Sequence, residues 1–279
     1  MVPKSASAPA IGGHPEGFAA TIRADRWWVE PLLTVAVLGL FGVYATWAAF
    51  QGNHYYAAPY LSPFYSPVLF AVPGVPGAAP LEHAWFGTWP AWWPSFLPAS
   101  PAFLILIFPG AFRFTCYYYR KAYYRAFTGS PPACAVVPAA KGARRYQGES
   151  SWLLFQNLHR FALYFALLFL PILLWDAIQA FSHHGRLGVG IGSLVLTINF
   201  CLLAGYTFGC HSFRHLIGGH DDCMSCGRST MKFGLWNRAT WFNVRHQNFA
   251  WFSLVWVMVS DLYVRLVSMG VIRDWNTWS

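Results

Sequence analysis

Residues 189–216 read VGIGSLVLTINFCLLAGYTFGCHSFRHL, and no charged residue occurs in them before Arg214. A helix needs roughly 20 apolar residues to cross ~30 Å of hydrocarbon. This stretch meets that requirement and then ends on Cys210, His211 and His215, three metal-ligand side chains. Its reading as a membrane helix sets the fold class, and the ligand residues at its end set the chemical question.

Four further runs reach spanning length, so the predicted spans are 28–50, 102–124, 155–181, 189–216 and 241–267. In the second, Pro109-Gly110 predicts a kink, and Arg113 lies inside it. The composition agrees: 56% of residues are hydrophobic, 19% aromatic and only 10% charged, with a mean hydropathy of +0.37. A soluble domain carries about 25% charge. The expected fold is therefore an all-α integral membrane bundle of five transmembrane helices. It comprises an N-terminal tail 1–26, an anchor domain 27–270 and a C-terminal tail 271–279. The first 26 residues lack the apolar core of a secretory signal, so the first span is expected to stay in the mature chain.

The formal net charge of +9 does not point to nucleic acid, because the basic residues lie between the spans rather than on one face. The N-terminal tail and the regions 113–160 and 214–245 hold 16 of the 19 Lys and Arg. The connector 51–100, rich in Pro and aromatics, holds none. The positive-inside rule then puts the N-terminus in the cytoplasm and the C-terminus outside. No repeat and no soluble domain is visible, so a catalytic partner must come from another chain.

With that orientation, Cys116, His159, Cys210 with His211 and His215, and His246 come from four helices at one depth, just inside the cytoplasmic interface. Helical bundles build metal and cofactor sites from such facing side chains. A lone buried His or Cys is more often ordinary core, and coincidence of depth on four helices is what raises this set above that. Two redox centres fit: a b-type haem needs two imidazoles from different helices, and a Rieske-type [2Fe-2S] centre needs two thiolates and two imidazoles. Structural zinc ranks third, since sealing a loop gives no reason for ligands below the interface.

The loop motif Cys223-x-x-Cys226, with His211 and His215, forms a rival ligand set, and Cys134 lies on the same side. Cys201, mid-span, reads as core. His54, His83, His183 and His184 belong to the opposite face. Asp176 and Asp261 are expected to pair structurally, with Arg265 the available cation. The run FRFTCYYYRKAYYRAF, 112–127, reads as an interfacial belt or as a quinone pocket and docking surface. Arg113, Tyr117, Tyr118, Arg120 and Arg214 are the candidate hydrogen-bond donors, joined by His215.

Eight blocks carry a resemblance: RADRWWVEPLL, PYLSPFYSP, RFTCYYYRKAYYRAF, PPACAV, FQNLHRFALY, GCHSFRHLIGG, RHQNFAWFSL and DLYVRL. Together they resemble the single-chain membrane anchor of actinobacterial-type succinate dehydrogenase, in the complex II and fumarate reductase superfamily. The resemblance implies a subunit in the plasma membrane that docks a flavoprotein and an iron–sulfur subunit on the cytoplasmic side. It would pass electrons from succinate to menaquinone, without a succinate site of its own, and would contact lipid, with a higher oligomer of the complex as a further expectation. Relatives that carry haem b have a histidine seven residues before the position of His215, where this chain has Phe208. The resemblance therefore favours an embedded Rieske-type [2Fe-2S] centre over haem b. The expected ligands are Cys116 and Cys210, with His159, His211 and His246 competing for two imidazole positions. Arg113, Tyr117, Arg120, Arg214 and His215 are the expected quinone contacts.

Overall fold

The computed structural model describes residues 16–129, 131–139, 153–219 and 230–278. Nine α-helices occur among these: α1 Val29–Gln51, α2 Pro101–Ile105, α3 Ile107–Thr115, α4 Tyr117–Thr128, α5 Leu153–Gln179, α6 Ile191–Phe208, α7 His211–Gly218, α8 Thr230–Asn243 and α9 His246–Ser268. Two small antiparallel hairpins accompany them, β1 Tyr56–Ala57 with β2 Tyr60–Leu61 and β3 Ser182–His183 with β4 Arg186–Leu187.

Among the described residues, four helices are long and apolar enough to cross a membrane: α1, α5, α6 and α9. In α1 only 17% of the apolar window is buried, whereas in α6 it is 50%. Helix α6 is therefore central, and α1 turns most of its surface outward. Leu32, Leu33, Leu40 and Val43 on α1 are exposed, as are Phe161, Phe165, Leu168 and Trp175 on α5. A soluble protein would not leave so continuous an apolar surface open, and a bilayer is the solvent that suits it.

The predicted second span, 102–124, is not one helix. It is divided among α2, α3 and α4, with breaks at Leu106 and Cys116. Proline has no N–H and its ring crowds the carbonyl four residues earlier. For Pro109 that residue is Ile105, where α2 ends. The kink thus falls one turn before the proline that causes it. Even so, α2 and α3 traverse the bundle. Ala102 packs with Ala48 and Ala49 at the end of α1, while Cys116 packs with Cys210 and Ala250. The 5 helical residues of α2 and the 9 of α3 rise about 21 Å over that distance.

The predicted fourth span also stops early. Helix α6 ends at Phe208, and Cys210 is extended (φ −63°, ψ 137°) before α7 begins. The predicted fifth begins late, at His246, because α8 precedes it as a separate helix.

The far end of the bundle is sealed by the connector 51–100. Tyr55 and Tyr65 stack at 4.2 Å, and the Tyr65 hydroxyl donates to the Ala48 carbonyl. Both tyrosines are fully buried. The aromatic and proline content of this connector makes a lid whose core is shared with α1, α2 and α9.

Candidate redox site

Two helix breaks create the site. Cys116 caps α4 with an extended backbone (φ −60°, ψ 127°), and Cys210 does the same for α7. Each break turns a cysteine into the space between α5, α6 and α9, where both side chains are almost fully buried at 3% and 2% exposure. His159 enters from α5 and His246 from the first position of α9.

The four side chains form two Cys–His pairs. His159 Nε2 lies 3.0 Å from Cys210 Sγ, and His246 Nε2 lies 3.6 Å from Cys116 Sγ. Aromatic rings fix both imidazoles. Phe112 stacks on His159 at 4.9 Å and 3°, and Tyr206 stacks on His246 at 4.9 Å and 12°. Thr115 Oγ1 holds the other ring nitrogen of His159 at 2.9 Å. The His246 Nδ1 and the Tyr206 hydroxyl are buried without a hydrogen-bond partner. An unsatisfied buried polar group costs about 1–3 kcal/mol, so two of them beside four ligand-type side chains mark a place where a further group is wanted.

Gly209 makes the approach of these helices possible. A Cβ there would meet the backbone oxygens of Gly205 and Phe242 at 2.9 Å and His246 Nδ1 at 3.1 Å. Among the described residues, no three His, Cys, Asp or Glu side chains converge as a single metal ion would need. In kind and number the donors match a group that takes two thiolates and two imidazoles. Their present spacing is that of two hydrogen-bonded pairs.

His211, expected to compete as a ligand, is not in this set: the break at Cys210 starts a new helix, and His211 is exposed on it. His215 is exposed as well. Cys134 is exposed, with its carbonyl accepting from Arg23. Cys201, expected in the core, is exposed on the outside of α6. Cys223 and Cys226 lie outside the described residues.

Arg113 lies beside the paired side chains. It donates to the Tyr119 hydroxyl at 2.9 Å, to the Ala250 carbonyl at 3.2 Å and to Ser253 Oγ at 2.8 Å. Its guanidinium also lies 4.5 Å from the centre of the Tyr206 ring. Arg113, Tyr119, Phe112 and Tyr206 line one end of a mostly apolar cavity of about 490 Å3, whose walls come from α1, α3, α5, α6 and α9.

A second cavity, of about 620 Å3, lies nearer the surface between α1 and α4, lined by Arg23, Arg26, Tyr118, Arg125, Gln247 and Trp251 among others. Hydrogen bonding to Arg23 holds the Asp25 carboxyl below its ordinary value. Of the other expected quinone contacts, Tyr117 is exposed. Arg214 donates to Thr240 and lies over the Trp236 ring. None of Tyr117, Arg214 and His215 lines either cavity. The Arg120 side chain lies outside the described residues.

A model of the family of actinobacterial succinate dehydrogenase subunit SdhC matches residues 29–270. The chain belongs to that family. This SdhC-family protein is thus a multi-pass membrane subunit of a succinate dehydrogenase complex. A chain of the structure described as the Mycobacterium smegmatis Sdh1 complex in the apo form is 40% identical to it. The match covers 96% of each chain with a TM-score of 0.80. No curated protein matches the chain.

Proposed function

We propose that this SdhC-family subunit anchors a flavoprotein and an iron–sulfur subunit at the cytoplasmic face of the plasma membrane and delivers electrons to menaquinone through an embedded Rieske-type [2Fe-2S] centre. Cys116, Cys210, His159 and His246 would hold that centre, which supplies one-electron transfer when bound. The observation that carries the reading is the double pairing: two buried thiols and two buried imidazoles, from four segments, meet at the basic end of the bundle. The α2–α3 segment makes the fifth crossing, and the starts of α1 and α9 face the cytoplasm, as the basic residues require.

Haem b fits less well. Haem takes two imidazoles and makes no use of thiols, whereas each Nε2 here has a buried cysteine sulfur beside it. Iron and acid-labile sulfide beyond the complement of the two partners, with a rhombic EPR signal, are expected of the purified complex. A reduced b-haem optical band in their place would favour haem, and neither signal would leave a cofactor-free anchor.

The quinone is assigned to the apolar cavity. A quinone needs an apolar slot with a few donors for its carbonyl oxygens. Arg113 and Tyr119 stand at the end of this slot, beside the rings that cover both histidines. Arg113→Ala is expected to raise the KM for quinone at least tenfold while the complex still assembles. A specific contact favours a second reading in the outer cavity: Trp251 Nε1 donates to the Tyr118 hydroxyl at 2.7 Å, which leaves that hydroxyl's own proton for a ligand. If Tyr118→Phe and not Arg113→Ala raises KM, the outer cavity is the quinone site.

A further inference from the structure

Thr115 is the last residue of α3, and its side chain faces His159 of α5. A threonine hydroxyl has one proton. Here that proton is used one turn back, where Oγ1 donates to the Ala111 carbonyl at 2.7 Å. The 2.9 Å contact between Oγ1 and His159 Nδ1 therefore runs the other way: Nδ1 carries the hydrogen and Oγ1 accepts it. A neutral imidazole has a single ring proton, so Nε2 keeps its lone pair, and that lone pair faces Cys210 Sγ at 3.0 Å. The parallel Phe112 ring holds the imidazole plane.

His246 has no such support. Its Nε2 lies 3.6 Å from Cys116 Sγ, but its Nδ1 is buried and unpartnered, packed against Gly209. The two imidazoles are thus held differently: the far nitrogen of His159 has a hydroxyl oxygen at 2.9 Å, whereas that of His246 has no partner at hydrogen-bonding distance, with the Tyr206 backbone near it.

We propose that Thr115 is a positioning residue for the embedded centre. By accepting the Nδ1 proton of His159 it fixes the tautomer and the ring so that only Nε2 can serve as a ligand. It thereby makes His159 the more strongly donating of two inequivalent imidazoles. The inference rests on the reading of Cys116, Cys210, His159 and His246 as ligands. Its physical basis is general: an acceptor on the far N–H of a ligating histidine orients the ring and raises its basicity, and removal of such partners commonly costs 10–100-fold in metal affinity or activity.

The test uses the intact complex, with Thr115→Val to remove the acceptor at constant shape and Thr115→Ser to restore it. Loss of the acceptor weakens donation to the oxidised centre. At the wild-type midpoint potential the reduced fraction should therefore rise, by about tenfold in the reduced-to-oxidised ratio, or ~59 mV upward for a one-electron couple. Thr115→Ser should return the potential to the wild-type value. Pulsed EPR of the wild-type complex provides a readout that needs no variant, and two unequal imidazole nitrogen couplings are expected. Loss of the centre in an assembled Thr115→Val complex, with retention in Thr115→Ser, would also support the role, since only the hydroxyl separates those results. Equal nitrogen couplings in the wild type, or a Thr115→Val midpoint equal to that of the wild type, overturn this inference alone. Absence of the signal and of excess iron in the wild type overturns the ligand reading and the inference with it.

Discussion

Asp261 and Arg265 stand one turn apart on α9 and form an ion pair whose side chains are 0% and 3% exposed. The Arg265 Nε lies 3.5 Å from Asp261 Oδ2, a charge contact rather than a hydrogen bond, and its Nε and Nη2 have no hydrogen-bond partner. The carboxylate is better served, accepting from Tyr44 at 2.6 Å and Ser62 at 2.5 Å. Arg265 Nη1 donates to the Asn53 carbonyl, and the guanidinium lies 5.0 Å from the Trp47 ring centre. The pair therefore ties α9 to α1 and to the connector that seals the far end. Removing one member of a buried pair costs about 3–5 kcal/mol, because the other is left charged and uncompensated. Asp261→Ala should lower the Tm of the complex and open residues 51–100 to protease. Replacing both members with apolar residues should recover most of that loss; a double variant as unstable as the single would show that the charge itself is needed.

Gly209 supplies a sharper test of how the site is assembled. The atoms that a Cβ would meet there include two backbone oxygens, which cannot rotate away as a side chain would. Gly209→Ala should cost about 1–3 kcal/mol by overpacking and push His246 away from Cys116. The expected result is a complex that assembles with a lower Tm and reduced iron beyond the partners' complement. Full iron content together with an unchanged Tm would mean that the helices can separate without disturbing the site.

Tyr206 gives an opposite sign. Its hydroxyl is buried and unpartnered, so deleting it removes a penalty of about 1–3 kcal/mol rather than a bond. In complex depleted of iron, Tyr206→Phe should leave the Tm unchanged or raise it. In complete complex the same change should alter the EPR signal or the quinone KM, because the hydroxyl then has a partner to lose. A fall in Tm in the depleted form would show that the hydroxyl is already bonded.

The depth of the candidate ligands was read in the sequence from span ends and basic residues, which mark the interface. That reasoning puts Cys116, His159, Cys210 and His246 at one level, and the structure brings these four together. It could not separate His211 from them, since the spacing to His215 suggests one continuous helix face. The helix in fact breaks at Cys210, and Gly209, a poor helix former, was the available sign. The break at Cys116 has no such sign: Thr115, Cys116 and Tyr117 are neither Gly nor Pro, and across the break α3 packs on α5 whereas α4 packs on α1. Arg214 was expected among the hydrogen-bond donors to a quinone; α7 turns it toward α8, where it donates to Thr240, and it lines neither cavity. Tyr119, which does line the cavity, was hidden among seven other tyrosine, arginine and lysine residues of α4, with no periodicity to distinguish it.

The ligand set itself is decided by the cysteines. Thiolates are the donors a serine replaces worst, since an alkoxide is far more basic and binds iron through a harder atom. Cys116→Ser and Cys210→Ser should each abolish or strongly shift the EPR signal of the assembled complex and remove iron beyond the partners' complement. Cys134→Ser and Cys201→Ser should leave both unchanged, because each thiol is exposed and away from the paired histidines. Cys223 and Cys226 lie outside the described residues, and Cys223→Ser and Cys226→Ser are expected to behave like the wild type. Were the signal lost in those two and kept in Cys116→Ser and Cys210→Ser, the centre would be held by Cys223 and Cys226 with His211 and His215. The buried Cys–His pairs would then be two hydrogen bonds that close the bundle, and the unpartnered Tyr206 hydroxyl and His246 nitrogen would require a different occupant.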